Sequence, residues 1–182
     1  MSIKTISSRI AYQNKWSRMR EDIIERANGE PGLYGVLDKD PACIIIPLQQ
    51  SADGGYLTLV HQFRYTVGGS YFEFPQGGWK RPDVVPEDLA RGELQEETGL
   101  SAGKLTLLGS NWIAYGAMNQ RHYVWLAEDL TQGGQSFDEG EESITVHRVS
   151  VAEFEAMILD GRVMDNCTLA AWATYLVWNK AR

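Results

Sequence analysis

The sequence predicts an α/β or α+β sandwich folded as one domain. Three observations lead there. Short apolar or alternating runs recur as strands, one helical pattern interrupts them mid-chain, and two helical patterns follow the last strand. No repeat, low-complexity tract or linker divides residues 1–182, a length that can bury one sizeable core.

The elements follow in order. Residues 4–12 and 33–37 read as short strands, with the turn signal "NGEPG" (28–32) between them. "ACIIIPLQ" (42–49) is a continuous apolar run, as expected of a buried strand. "ADGG" (52–55) is a hairpin signal, followed by the strand "YLTLVHQFRY" (56–65). "YFEFP" (71–75) alternates with period two, and a glycine pair follows at 77–78. A helix is predicted from Pro86, a favoured first-turn residue, to Gly99, a favoured C-terminal cap. "KLTLLGSNWIA" (104–114), "RHYVWLAEDL" (121–130) and "ITVHRVS" (144–150) read as strands, with the acidic loop "QGGQSFDEGEES" (132–143) before the last. Helices at 151–161 and 165–182 close the chain, with Leu169, Trp172, Tyr175 and Leu176 read as core packing.

Composition narrows the function. Hydrophobic residues make up 43% and charged residues 23%, an ordinary globular balance. The net charge of −7 argues against nonspecific nucleic-acid binding, which depends on neutralising phosphates. It also implies that a phosphate-bearing substrate would need a local cation. No apolar run approaches the roughly 18–20 residues that span a bilayer, and "MSIKTISSRI" has no apolar signal region, so a cytoplasmic location without membrane contact is expected. Cys43 and Cys167 are far apart and lack metal-site spacing; Cys43, in "ACIII", reads as a buried thiol. His61, His122 and His147 fall on strands without metal spacing and read as structural.

The stretch "ARGELQEETG" (90–99) is the exception to this ordinary pattern. With Glu93 at zero on a helical wheel, Glu97 lies at roughly 40°, Glu96 at roughly −60°, Leu89 at roughly −40°, Ala90 at roughly 60° and Leu94 at roughly 100°. The carboxylates therefore share the apolar stripe, while Arg91, Asp88 and Gln95 lie opposite. Like charges facing the protein at these spacings need neutralising, and a hard divalent ion with oxygen ligands does this. The preceding "FPQGGW" is a strand end with two glycines, which lets backbone approach a ligand closely. Strand, glycine loop and carboxylate-bearing helix together point to a phosphate-plus-metal site.

That combination resembles the Nudix hydrolase signature, whose tail is Arg-Glu-apolar-x-Glu-Glu-x-Gly-apolar. Glu93, Leu94, Glu96, Glu97, Gly99 and Leu100 match it. The flanks are most similar to the ADP-ribose pyrophosphatase branch: "AYQNKW" (11–16), "VHQFRY" (60–65), "FEFPQG" (72–77), "LAEDLT" (126–131) and "MDNCTLAAWATYL" (164–176). The sequence departs from the pattern in four places. Gly92 stands where the box arginine is expected, with Arg91 one position earlier. Val84, beside Asp83, stands at the early box glutamate. Tyr115 replaces a proline of the ADP-ribose branch. Gly140 stands near the general-base position, flanked by Glu139 and Glu141. The only expectation for Gly92 is close packing.

The resemblance implies an α/β/α sandwich with a mixed sheet and N-terminal antiparallel strands, residues 1–40 contributing to a homodimer interface. It implies hydrolysis of the pyrophosphate bond of a nucleoside diphosphate linked to another group, ADP-ribose or another nucleotide sugar, with Mg²⁺ or Mn²⁺. A dinucleoside polyphosphate, NADH or GDP-sugar hydrolase, or a binding module without turnover, are the alternatives. Glu93, Glu97 and Glu142 are the implied metal ligands, with a backbone carbonyl of Gln76 or Gly77. Glu96, Glu139 and Glu141 are the catalytic candidates. Arg64, Glu73, Trp16 and Tyr115 are the substrate candidates, and Tyr12 is a further aromatic able to stack on a base.

Overall fold

The structure is a computed structural model that describes residues 2–52, 54–78, 85–134 and 144–182. These form two compact units, residues 1–41 with 112–121 and residues 42–111 with 122–182. Among the described residues no helix is long and apolar enough to cross a membrane.

The first unit is a three-stranded antiparallel sheet of β1 (Lys4–Gln13), β2 (Arg18–Glu25) and β3 (Pro31–Asp38), in that order. The sequence reading missed β2 because "RMREDIIE" is charge-rich and shows no clean apolar alternation. Its charges are met from neighbouring strands instead. Arg9 pairs with Glu21 at 2.5 Å, Lys4 with Glu25 at 3.2 Å and Arg18 with Asp38 at 2.5 Å. One face buries Asp22 and Ile24, and the Asp22 carboxylate accepts a 2.6 Å bond from the Ser8 hydroxyl. The other face carries Met19, Ile23 and Leu33, with Ile23 directly opposite Leu33, and all three are exposed. The 112–121 segment is tied to β3, with the Leu37 N–H donating to the Ala117 carbonyl at 2.9 Å.

The second unit holds a mixed sheet. Its strands are β4 (Ala42–Gln49), β5 (Tyr56–Arg64), β6 (Gly69–Glu73), β7 (Gln76–Gly78), β8 (Leu100–Trp112), β9 (Arg121–Gln132) and β10 (Thr145–Ser150). The order is β10-β5-β4-β9-β8, with β6 on β5 and β7 on β4. The β4–β9 pairing is parallel, while β4–β5 and β5–β10 are antiparallel. Its helices are α1 (Pro86–Thr98), α2 (Val151–Leu159) and α3 (Asn166–Lys180).

β4 explains the layering. Seven of its eight residues are buried, as its unbroken apolar run requires of a strand covered on both faces. Ile44, Ile46 and Leu48 pack with Phe154, Met157, Trp172 and Tyr175 of α2 and α3. Cys43 and Ile45 pack on the opposite face with Leu89, Ala90 and Leu94 of α1. Leu176, expected in the core, is instead exposed at the margin of α3.

The α1 boundaries match the sequence signals. Pro86 opens the helix, and Glu87 and Asp88 in the first turn suit its positive end. Gly99 closes it at φ 72°, a left-handed conformation, with its N–H on the Gln95 carbonyl. α3 begins at Asp165, whose side chain caps the N–H groups of Cys167 and Thr168.

Candidate active site

The site is built where β7 meets α1. Register pairing sets Gly77 opposite Cys43 and Gln76 opposite Ile44, so the short β7 lies against the central strand. α1 crosses the same face, and its buried residues are Leu89, Ala90, Glu93, Leu94, Glu97 and Thr98. The wheel placed Glu93 and Glu97 on the inward stripe, and both are buried, at 4% and 3% exposure. Glu96, at the edge of that sector, is only half-buried.

Gly77 is required by what packs on it. A Cβ at this position would fall inside the Glu93 carboxylate, closer than real Cβ atoms come to other groups. Glu97 is fixed by the same loop: its Oε2 accepts the Gln76 N–H at 3.0 Å. Two buried carboxylates one helical turn apart are thus pressed against the β7 backbone. Such oxygen donors suit a hard divalent ion, with carbonyls of β7 close at hand. Glu142, the third expected ligand, lies outside the described residues, as do Glu139, Glu141, Asp83, Val84 and Gly140. Among the described residues, no group of three or more His, Cys, Asp or Glu side chains gathers to hold a metal.

Gly92 is not explained by close packing. A Cβ there would meet only the Glu96 side chain, at 3.8 Å, which is ordinary contact. Arg91 does not substitute for the missing arginine. Its guanidinium is engaged by Glu87 at 2.7 Å and by the Ala102 carbonyl at 2.8 Å.

Arg64 and Glu73, both sequence candidates, come together as an ion pair at 2.8 Å. Glu73 is buried, and that burial pushes its carboxyl above the usual carboxylate range, against the opposing pull of Arg64. Burial disfavours the Arg64 charge, but the hydrogen bond and charge of Glu73 outweigh it and hold the guanidinium above its ordinary value. Cationic at any working pH and still 42% exposed, Arg64 can meet an anion. Trp16 and Tyr115 lie in the first unit and are both well exposed, as is Tyr12.

Sequence reasoning missed Asp165 here. Asp165 joins the network through its 3.1 Å bond from Gln76 Nε2, which also donates to Glu73 Oε2 at 2.9 Å. His122 opens the buried part of β9, and its Nδ1 is buried without a hydrogen-bond partner. Burial pushes its pKa down to about 4, with the charge of Asp165 opposing. "MDNC" before an apolar helix is a legible N-cap signal, but nothing local links Asp165 to residue 76. Cys43 is buried, as the sequence predicted, and burial raises its thiol pKa.

Comparison with known proteins agrees with this geometry. Residues 38–167 match the NUDIX domain, and residues 3–37 match the nucleoside diphosphate sugar hydrolase N-terminal domain. An ADP-ribose pyrophosphatase of Mycobacterium tuberculosis is 27% identical over 168 residues, covering 92% of this chain and 80% of that protein. An ADP-ribose pyrophosphatase of Bacillus subtilis is 26% identical over 170 residues, covering 92% of this chain and 89% of that protein. A crystal structure of an ADP compounds hydrolase superposes with a TM-score of 0.84 at 20% identity, covering 100% of this chain and 96% of the other, which establishes a shared fold.

Proposed function

This chain belongs to the NUDIX domain family, and from that premise we propose that it hydrolyses the pyrophosphate bond of a nucleoside diphosphate joined to a further group. ADP-ribose is the best single substrate, on the names of the two bacterial relatives. The observation that carries the reading is the packing of the Glu93 carboxylate onto Gly77 while Glu97 accepts the Gln76 N–H. It supports a cation site beside a glycine loop, and a cation held there would let a chain of net charge −7 bind an anionic phosphate.

Glu93 and Glu97 would hold a divalent cation, Mg²⁺ or Mn²⁺, with a backbone carbonyl of Gln76 or Gly77 and with Glu142. When bound, such an ion supplies Lewis acidity that offsets phosphate charge and makes water a better nucleophile at neutral pH. The protein's own groups do the remainder. Arg64, aimed by Glu73, binds a phosphate oxygen. Glu96 orients the carboxylates beside it, and Glu139 or Glu141 takes the proton from the attacking water. Trp16 and Tyr115 offer exposed aromatic faces for a base. The chain works as a homodimer, a reading supported by the apolar face that Met19, Ile23 and Leu33 expose.

The test is direct. Purified protein is incubated with Mg²⁺ or Mn²⁺ and ADP-ribose, GDP-sugars, NADH and dinucleoside polyphosphates, with phosphate release followed after phosphatase coupling. Turnover of ADP-ribose above the others supports the proposal. Tight binding without turnover of any of them would instead identify a sensor. A light-scattering mass equal to one chain would exclude the dimer.

A further inference from the structure

Gln76 is gripped from two sides. Its backbone N–H reaches Glu97 of α1 at 3.0 Å. Its side-chain amide gives Nε2 bonds to Glu73 at 2.9 Å and to Asp165 at 3.1 Å. Both N–H bonds of that amide are thereby used. Asp165 Oδ2 also accepts from the Thr168 N–H at 2.8 Å and the Thr168 hydroxyl at 2.7 Å. The Thr168 hydroxyl in turn accepts the Phe74 N–H at 3.0 Å. Thr168 is fully buried, so the bond from the Phe74 N–H to its hydroxyl cannot be exchanged for water without opening the site.

The first turn of α3 therefore holds the Phe74–Gln76 segment at both ends, and Pro75 stiffens what lies between. That segment supplies the Gln76 N–H to Glu97, leads directly into Gly77, on which Glu93 packs, and follows the strand that bears Glu73. We infer that Asp165 and Thr168 are positioning residues: through Phe74 and the Gln76 amide they fix the β7 backbone against the α1 carboxylates and, through Glu73, aim Arg64. A cap that served only α3 would bond its own helix alone. Here the same oxygens are shared with the loop under the carboxylates. The inference rests on the reading of Glu93, Glu97 and β7 as the cation and phosphate site.

The test uses the full-length protein and reads cation binding apart from turnover. Thr168→Val and Gln76→Met remove the two tethers while keeping side-chain volume and the backbone N–H to Glu97. Thr168→Ser keeps the hydroxyl that accepts from Phe74, and Asp165→Asn keeps one of the two acceptor oxygens. Mn²⁺ affinity is measured by isothermal titration calorimetry, and kcat and KM for ADP-ribose well below each variant's Tm. Thr168→Val and Gln76→Met are expected to weaken Mn²⁺ binding or lower kcat by roughly 10-fold or more, with Thr168→Ser returning close to wild type. If the variants lose only thermal stability, with Mn²⁺ affinity, kcat and KM unchanged, the inference is overturned and the proposed function stands. If the wild type neither binds Mn²⁺ nor turns over substrate, the proposed function falls and the inference with it. Should Thr168→Val fail to fold, Gln76→Met decides alone.

Discussion

The Glu93 carboxylate occupies the space in which a side chain on Gly77 would begin. Two positions sixteen residues apart are thus a single constraint: the loop can close under the helix only where the loop residue has no Cβ. Glu93 is buried at this contact, so it cannot swing into solvent to make room.

Gly77→Ala should therefore displace Glu93 or β7, and either movement disturbs the carboxylate pair. Overpacking of this kind costs about 1–3 kcal/mol of stability. The effect on turnover should be larger, roughly 100-fold, because small misplacements of reacting groups are amplified. Thermal denaturation alongside kcat/KM for ADP-ribose checks this. A variant that keeps full activity would show that Glu93 has no part in the chemistry.

Glu97→Gln separates charge from shape. The amide oxygen can still accept the Gln76 N–H that Glu97 accepts at 3.0 Å, so the fold should hold. The loss is one negative charge at the proposed cation site. Turnover should fall roughly 100-fold or more, with Tm changed little. Near-normal activity in this variant would remove Glu97 from the metal set.

The sequence made the helix and its capping glycine legible because those signals are local. Pro86, Gly99 and the spacing of Leu89, Ala90 and Leu94 all act within α1. The inward glutamates were legible for the same reason. β2 was not, because its charges are satisfied by residues of β1 and β3 that no local pattern reveals. The sequence marked the glycine pair at 77–78 as a place where backbone can approach a ligand closely; the collision with Glu93 shows the constraint at Gly77. Asp165 joins the site only through folding, from a position far from β7 in the chain. Gly92 ran the other way: close packing was expected, and only an ordinary contact with Glu96 was found.

Room for a Cβ at ordinary contact distance makes Gly92→Ala a stabilising change. Glycine inside a helix costs about 1 kcal/mol relative to alanine, and nothing at this position repays it through contact. For a domain of this size the gain corresponds to about 2–4 °C in Tm. Activity should remain within about twofold, since the new methyl group meets Glu96 at ordinary contact distance. A lower Tm would indicate that α1 needs a glycine for a reason outside its packing.

His122 should make the protein sensitive to mild acid. Its folded-state pKa of about 4 lies below the ordinary 6.5, because the buried ring resists charging more than the Asp165 charge favours it. Between pH 6.5 and 4 the unfolded chain therefore binds a proton at this residue that the folded chain does not. Stability must fall as pH drops through that window, by up to about 1.4 kcal/mol per pH unit from this group alone. Glu73 works in the opposite sense: burial raises its pKa, so the folded state holds a proton there more readily than the unfolded chain, and part of the slope is cancelled in the wild type. The difference between wild type and His122→Gln isolates the histidine. Urea denaturation of both at pH 7, 6, 5 and 4.5 should show the variant gaining on the wild type at each step down. A constant difference across the series would mean that His122 protonates as readily in the folded chain as in the unfolded one.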